Sequence, residues 1–240
     1  MLAIITGTIR PTNLVTQLKI RNEEERLFQY LESLKFFIES KAFTKIIFCE
    51  NSNYGAGGLA ALEEMARDNG VKLEILSFQG DIQQVERQGK GYGEGEILDY
   101  VFDHSDLVER EPFFIKITGR MKVMNIQKLV SVMKPEKSYF NIPNSTLRTL
   151  YDTRIYGMPT EQFKRCFQKA YLKVWDKQGI YLEHIYTQTL KENGIKVTNF
   201  PRYPRIIGIS GSTGGSYTYV EWKCKIKDII SRLNGYRVKD

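Results

Sequence analysis

The segment Gly89-Lys90-Gly91-Tyr92-Gly93-Glu94-Gly95-Glu96 places four glycines and a lysine in eight residues. Backbone stripped of side chains lets amide N–H groups approach phosphate oxygens, and Lys90 adds positive charge. That composition suits the binding of a phosphate-bearing small molecule, with a plain glycine connection as the alternative. Gly-Lys is not followed by Ser or Thr, and Gly-x-Gly-x-x-Gly is absent, so the segment is neither a P-loop nor a dinucleotide fingerprint. Thr6-Gly7-Thr8-Ile9-Arg10-Pro11 offers a second set of amides with a cation, suited to a diphosphate or to a simple surface turn. Glu50-Asn51-Ser52 carries a carboxylate, an amide and a hydroxyl able to hydrogen-bond a base or ribose.

These segments need elements to hold them, and the hydrophobic spacing supplies a set. Residues 2–6 read as a buried strand. Leu27, Tyr30, Leu31, Leu34, Phe37 and Ile38 recur at the spacing of an amphipathic helix. Strands follow at Lys45 to Cys49 and Lys72 to Phe78, separated by a helix with Leu59, Leu62, Met65 and Ala66 inward and Asn69-Gly70 as its stop. Ile97, Leu98, Tyr100, Val101 and Phe102 mark another helix, and Phe113 to Ile117 another strand. Strands joined by helix-length crossovers must pair in parallel, which predicts an α/β fold with an open, mainly parallel sheet covered by helices. Ligands of such sheets bind outside the carboxyl ends of the strands, where the polar loops 7–13, 50–55, 89–96 and 118–125 gather.

The second half predicts short strands at Tyr139 to Ile142 and Thr153 to Tyr156, helices at 160–174 and 180–193, a strand at Arg205 to Ile209 and a helix at 218–233. No internal repeat or linker interrupts the chain, so one domain of 1–240 is expected, with halves at 1–125 and 126–240. No apolar run approaches the ~20 residues of a membrane span. The chain opens directly into Met1-Leu2-Ala3-Ile4-Ile5-Thr6, an opening that predicts a cytoplasmic protein, and the three widely spaced cysteines predict reduced thiols. A formal charge of +7 suits nucleic acid, an anionic membrane or phosphorylated ligands. No basic block interleaved with aromatics points to nucleic acid, which is not expected as a partner. Asp103-His104-Ser105-Asp106 reads as a helix end rather than a metal cluster, because nothing brings further ligands together there. Trp222, Cys224, Ile226, Ile229, Ile230 and Leu233, with Lys223, Lys225, Lys227 and Arg232 between them, form a basic amphipathic helix. It packs on the domain or touches an anionic bilayer.

The order strand, loop, helix with Arg26-x-x-Gln29-Tyr30-x-x-Ser33-Leu34, strand ending Glu50-Asn51-Ser52, strand, Gly/Lys segment and helix resembles the nucleotide-binding half of GT-A-fold glycosyltransferases. Gly89-Lys90-Gly91-Tyr92-Gly93-Glu94 and Lys116-Ile117-Thr118-Gly119-Arg120 are similar to segments of small bacterial enzymes of surface-polysaccharide assembly, of the capsule and lipopolysaccharide O-antigen type. The resemblance spans roughly residues 1–190. It implies a nucleotide-sugar donor held by Thr6, Gly7, Thr8 and Arg10, by Glu50, Asn51 and Ser52, by Lys90, Gly91, Gly93 and Glu94, and by Lys116, Thr118 and Gly119. It also implies a glycan or lipid-linked glycan acceptor, which the bilayer option for the basic helix at 218–233 would suit, with a peripheral place on the inner face of the cell membrane.

One departure matters. Such enzymes carry Asp-x-Asp for a divalent cation, Mg or Mn, where this chain has Thr118-Gly119-Arg120. An arginine neutralises a diphosphate by bidentate contact, so Arg120, with Lys116 and Lys90, is expected to replace the metal. Ile180-Tyr181-Leu182-Glu183-His184-Ile185-Tyr186 resembles the acidic helix that supplies the base of inverting enzymes, which assigns Glu183 to that role; a solvated helix face is the alternative. His184 assists or caps. Asp152 and Arg154 alternate onto one strand face, lining the acceptor pocket or pairing with each other. Gly211 to Ser216 is a candidate lid. Two rival readings are a sugar-phosphate nucleotidyltransferase, suggested by Gly7-Thr8-Ile9-Arg10, and a non-catalytic nucleotide- or glycan-binding module.

Overall fold

Every residue of the strand β1 (Leu2–Gly7) is buried, as the apolar run Leu2-Ala3-Ile4-Ile5 demands of a central parallel strand. The computed structural model describes residues 1–12, 20–55, 57–141, 150–209 and 214–233, with side chains described as far as residue 229. Helix α1 (Glu23–Glu39) starts at Asn22, whose side chain accepts from the Glu25 amide at 2.8 Å, and its first turn holds three glutamates that complement the helix dipole. Its stripe Tyr30, Leu34, Phe37 and Ile38 is buried against the sheet.

Strand β2 (Lys45–Glu50), helix α2 (Ala60–Asp68) and strand β3 (Lys72–Ser77) complete the expected alternation. Helices α3 (Ile82–Gln88), α4 (Lys90–His104) and α5 (Asp106–Glu109) precede β4 (Phe113–Thr118). Then come β5 (Met121–Val123), α6 (Ile126–Val130), β6 (Ser138–Asn141), β7 (Asp152–Pro159), α7 (Thr160–Cys166), α8 (Leu182–Glu192), β8 (Val197–Asn199), β9 (Ile206–Ile209), β10 (Ser216–Tyr217) and α9 (Glu221–Leu233).

The main sheet runs β3-β2-β1-β4-β7-β6-β8, and β7 alone among these strands lies antiparallel to its neighbours. A small antiparallel sheet, β10-β9-β5, stands beside it. The fold is therefore α/β with a mainly parallel sheet. From β1 the chain moves outward to β2 and β3, and then returns to place β4 on β1's other side. This reversal opens a crevice between the carboxyl ends of β1 and β4. One core layer packs Tyr30, Leu34, Phe37 and Phe48 under α1 and α2; the other packs Leu98, Val101, Phe163 and Tyr186 under α4, α7 and α8. No helix of the described residues is long and apolar enough to cross a membrane.

Several expectations need correction. Residues 90–96 are not a loop, because α4 begins at Lys90 and the glycines lie in its first two turns. The helix expected over 160–174 stops at Cys166, and short 3-10 turns at Ala170–Lys173 and Asp176–Gln178 bring Tyr171 and Val174 into the core. The polar stretch 118–125 contains β5, paired with β9. Ile142 and 211–213, half of the candidate lid, lie outside the described residues.

The glycines of α4 are there for close approach. A Cβ on Gly95 would stand 2.1 Å from Cβ of Tyr171, an atom tied to the backbone and unable to swing away. Gly95→Ala gains about 1 kcal/mol of helix propensity but costs about 3 kcal/mol in overpacking. The net loss of about 2 kcal/mol is expected to lower the melting temperature by roughly 4–8 °C, measurable by calorimetry.

Candidate functional site

A cleft of about 500 Å³ opens at the carboxyl ends of β1 to β4, bordered by the first turns of α4 and α8 and by the small sheet. It gathers most of the residues selected from the sequence. Thr6, Gly7, Thr8 and Arg10 line it, as do Asn51, Ser52, Lys90, Gly93 and Glu94. So do Thr118, Gly119, Arg120, Arg154 and Glu183. Glu50, Gly91, Lys116, Asp152 and His184 do not line it.

The loops after β1 and β2 are stitched into one wall. Thr8 Oγ1 donates to Asn51 Oδ1 at 2.6 Å, and Ser52 Oγ accepts from the amides of Ile9 at 3.1 Å and Arg10 at 2.9 Å. Glu50 lies beneath them, fully buried. Its carboxylate accepts from the amides of Ser52 and Tyr54 at 2.8 and 2.7 Å and from the Ser77 hydroxyl. A carboxylate with its lone pairs so engaged shapes the turn, and of the three residues only Asn51 and Ser52 line the cleft.

Arg26 is the feature that the sequence reading missed. It is 3% exposed, lines the cleft, and gives its guanidinium to the carbonyls of Thr8 (Nε, 2.8 Å) and Ile20 (Nη1, 3.1 Å). Burial lowers its pKa, and neighbouring Arg120 pushes the same way. The available signal was its position: Arg26, Tyr30, Ser33, Leu34 and Phe37 share the inward face of α1, where a cation is out of place.

Arg120 sits on a backbone with φ of 65°, in the left-handed region that costs a non-glycine residue about 1–3 kcal/mol. Gly119 before it donates its amide to Thr6 O at 2.9 Å, and a Cβ there would stand 2.5 Å from that oxygen. The chain thus turns sharply at the β1/β4 crevice and presents Arg120 over the Tyr30 ring at 5.7 Å. Nη1 of Arg120 donates to Gln29 Oε1 at 3.0 Å, while its Nε is buried with no hydrogen-bond partner among the described residues. Neither Arg26 nor Arg120 has a carboxylate within ion-pair distance among the described residues.

Two carboxylates join the same cleft from helices on the other sheet face. Glu94 of α4 accepts from Thr118 Oγ1 at 2.8 Å and is ion-paired to Lys116. Lys116 itself is fully buried and also donates to Thr118 Oγ1 at 2.7 Å and Thr153 O at 2.9 Å. It holds the floor of the cleft together and does not line the cleft, where the sequence suggested a contact with the diphosphate. Glu183, in the first turn of α8, accepts from Thr153 Oγ1 at 2.9 Å and has no cation within ion-pair distance among the described residues.

Asp152 and Arg154 pair with each other, Arg154 Nη2 to Asp152 Oδ2 at 2.5 Å, which raises the arginine's pKa. Arg154 still faces the cleft, over the Tyr217 ring at 4.9 Å, with Asp152 behind it. His184 caps α8, its Nδ1 accepting from the Tyr181 amide at 3.1 Å, and takes no place in the cleft. Arg10 lies at the rim, ion-paired to Glu23 at 2.8 Å.

The start of α4 corrects the phosphate-cradle reading. The Gly91 amide donates to Asp176 Oδ2 at 3.0 Å, so a carboxylate already satisfies this helix N-terminus. Of the segment's glycines only Gly93 lines the cleft; Gly91 packs on Asp176 and Val174, and Gly95 on Tyr171. Burial raises the Asp176 carboxyl above its ordinary range, against the pull of the Gly91 amide and Lys90. As pH rises, the unfolded chain releases this proton first, so stability falls from the ordinary carboxyl pKa up to the raised folded one and levels off above it. Asp176→Asn keeps an acceptor for Gly91 and removes that loss. Urea unfolding at several pH values should show the variant at least as stable as the parent at neutral pH, with the gap closing in acid.

The residues at the end of β4 do not fit a divalent cation. Arg120 stands there, Glu94 is bound to Lys116, and no cluster of three or more His, Cys, Asp or Glu suited to a metal occurs among the described residues. Asp103–Asp106 is a helix junction in which Ser105 Oγ caps α5, accepting from the Leu107 amide at 3.2 Å.

No family model matches the chain, and no curated protein matches it. Among solved structures, similarity is found to a nucleoside-diphosphate-sugar pyrophosphorylase from Vibrio cholerae, at 12% identity and a TM-score of 0.49, covering 83% of this chain and 91% of that one. A putative nucleotide-diphospho-sugar transferase from Desulfovibrio desulfuricans gives 10% identity and 0.48, over 83% and 78%. Mouse xyloside xylosyltransferase 1 gives 10% identity and 0.40, over 79% and 80%. Superpositions this loose decide neither fold nor activity, and the strand order above carries the fold assignment.

Proposed function

We propose that this chain is a GT-A-like glycosyltransferase that transfers a sugar from a nucleoside-diphosphate donor to a glycan or lipid-linked glycan acceptor, in bacterial surface-polysaccharide assembly. The observation that carries the reading is charge placement. Among the described residues, two arginines without carboxylate partners, Arg26 and Arg120, lie at the β1/β4 crevice, and the same cleft holds Glu183, a carboxylate without a cation partner there. Cations positioned before a ligand arrives favour a diphosphate, both as bound and as the anion released in the reaction. Residues 1–125 hold the donor in this reading and residues 126–240 supply the acceptor side.

The donor's base and ribose lie along Asn51, Ser52 and Thr8, with the diphosphate over Arg120 in the field of Arg26. Glu183 takes the proton of an acceptor hydroxyl as its oxygen bonds to the anomeric carbon. The bond from that carbon to the diphosphate oxygen breaks, and the nucleoside diphosphate leaves with both electrons. Attack opposite the leaving group inverts the anomeric centre. Arg120 supplies the charge that a divalent cation would otherwise bring, so the reaction needs no metal.

Thermal shift and calorimetry with UDP-, GDP-, dTDP- and CMP-sugars, with and without EDTA, test this. A nucleoside-diphosphate sugar at a hundredfold its Kd should add about 2.7 kcal/mol of stability, undiminished by EDTA. Stabilisation by none of them overturns the donor site, and loss of the effect with EDTA overturns metal independence.

A further inference from the structure

Helix α9 is amphipathic in the wrong sense for a helix that only packs on its own domain. Its buried seam is Cys224 and Asp228, at 3% and 7% exposure. Trp222, Ile226 and Ile229 are exposed by 61%, 46% and 56%, and their i, i+4, i+7 spacing puts them on one stripe pointing away from that seam. Val220, just before the helix, is exposed as well.

The charges are sorted the same way. Asp228 and Glu221 both bind Arg205, at 2.7 and 3.2 Å, and Arg205 is itself buried. Lys223 and Lys225 are exposed, and at 100° per residue they fall on either side of the apolar stripe. Lys227 lies over the Tyr203 ring at 3.9 Å. Both acids are thus neutralised by the buried Arg205, Asp228 on the inward side and Glu221 at the exposed edge, and the outward face is tryptophan and isoleucine between lysines.

We propose that this face of α9 docks on an anionic lipid bilayer, the helix lying in the interface with Trp222, Ile226 and Ile229 among the acyl-chain ends and Lys223 and Lys225 at the headgroups. Aromatic and aliphatic side chains bordered by lysine are the chemistry of an interfacial helix, in which apolar burial and attraction to anionic lipid add. A second copy of the chain fits less well. In a two-fold contact through this face the flanking lysines of one copy would meet those of the other. The inference deepens the reading above by putting the enzyme on the surface that carries a lipid-linked acceptor. Helix α9 follows β10 of the small sheet, whose Ile209 and Tyr217 line the cleft, so docking would bring the acceptor side of the cleft to the membrane.

The test needs neither donor nor acceptor, so its outcome is separate from that of the donor screen. The chain has two tryptophans, and Trp175→Phe leaves Trp222 as sole reporter. The full chain is mixed with vesicles of phosphatidylcholine alone or with roughly one third phosphatidylglycerol. We expect co-sedimentation and a blue shift of Trp222 emission with the anionic vesicles only, weakening as salt rises from about 0.05 to about 0.5 M. Trp222→Ser with Ile226→Ser and Ile229→Ser, read by sedimentation in the presence of Trp175, should lower partitioning by about 100-fold. These exposed positions should leave the melting temperature unchanged. Lys223→Glu with Lys225→Glu should remove the preference for anionic lipid. Equal behaviour on both vesicle types, or equal partitioning of parent and serine variant, overturns the proposal. So does a concentration-dependent dimer that the serine variant abolishes, which would assign the face to a second copy.

Discussion

Arg120→Gly is expected to weaken nucleotide-sugar binding by about 100-fold while leaving the protein as stable as before, or slightly more so. The first half follows from hydrogen bonds to charged groups, each worth about 1.5–3 kcal/mol; losing a bidentate pair costs about 3 kcal/mol of binding. The second half follows from the backbone. At φ of 65° arginine is strained and glycine is not, and the arginine also buries an Nε with no partner. A residue placed for folding would show the reverse, a fall in stability on removal. Arg120→Lys should behave almost like the glycine variant in binding, because an ammonium cannot make the paired contact, yet it keeps the strain. Titration calorimetry with the donor, beside thermal unfolding without it, separates the two effects. Unchanged affinity in Arg120→Gly would remove the arginine from the diphosphate site.

Glu183→Gln should cut turnover by about 1,000-fold with donor affinity unchanged within about twofold. The amide keeps an oxygen to accept from Thr153 Oγ1, so the side chain stays in place while its ability to take a proton is lost. A fall in affinity of the same size would instead make Glu183 a donor-binding residue. The stereochemistry supplies an independent check by NMR of the first-formed product. Retention at the anomeric carbon excludes Glu183 as the base of a single displacement. Glu94 is the natural comparison, since it shares the cleft but is tied to buried Lys116. Glu94→Gln should lower stability as well as activity, because it leaves the Lys116 ammonium buried without its counter-charge.

The elements and the general address of the site were legible from residue types and spacing. Apolar stripes at three and four residues identified α1, α2 and α4, short apolar runs identified β1, β2 and, around Lys116, β4, and helix-length crossovers required parallel pairing. The strand-end rule then led to the ends of β1, β2 and β4, whose following residues line the cleft, although 90–96 proved to be helix and 121–123 strand. These are local properties: a helix or strand shows its buried face in its own sequence, and a polar loop after a strand is polar whatever surrounds it.

The roles within the cleft depended on partners far along the chain. Gly91 and Gly95 looked like a phosphate cradle until Asp176 and Tyr171, 85 and more than seventy residues away, were seen packed against them. Lys116 and Glu50 carry the right charges for a ligand, but burial commits one to Glu94 and the other to its own turn. Arg26 reads as one residue of an amphipathic helix; only the packing of α1 against the β1 loop brings its unneutralised charge to the cleft beside Arg120. Composition and periodicity therefore determine which elements form and which ends collect polar groups. Which polar groups remain free for a ligand is decided by the tertiary structure, because a charge is spent or spared according to neighbours that the local sequence does not contain.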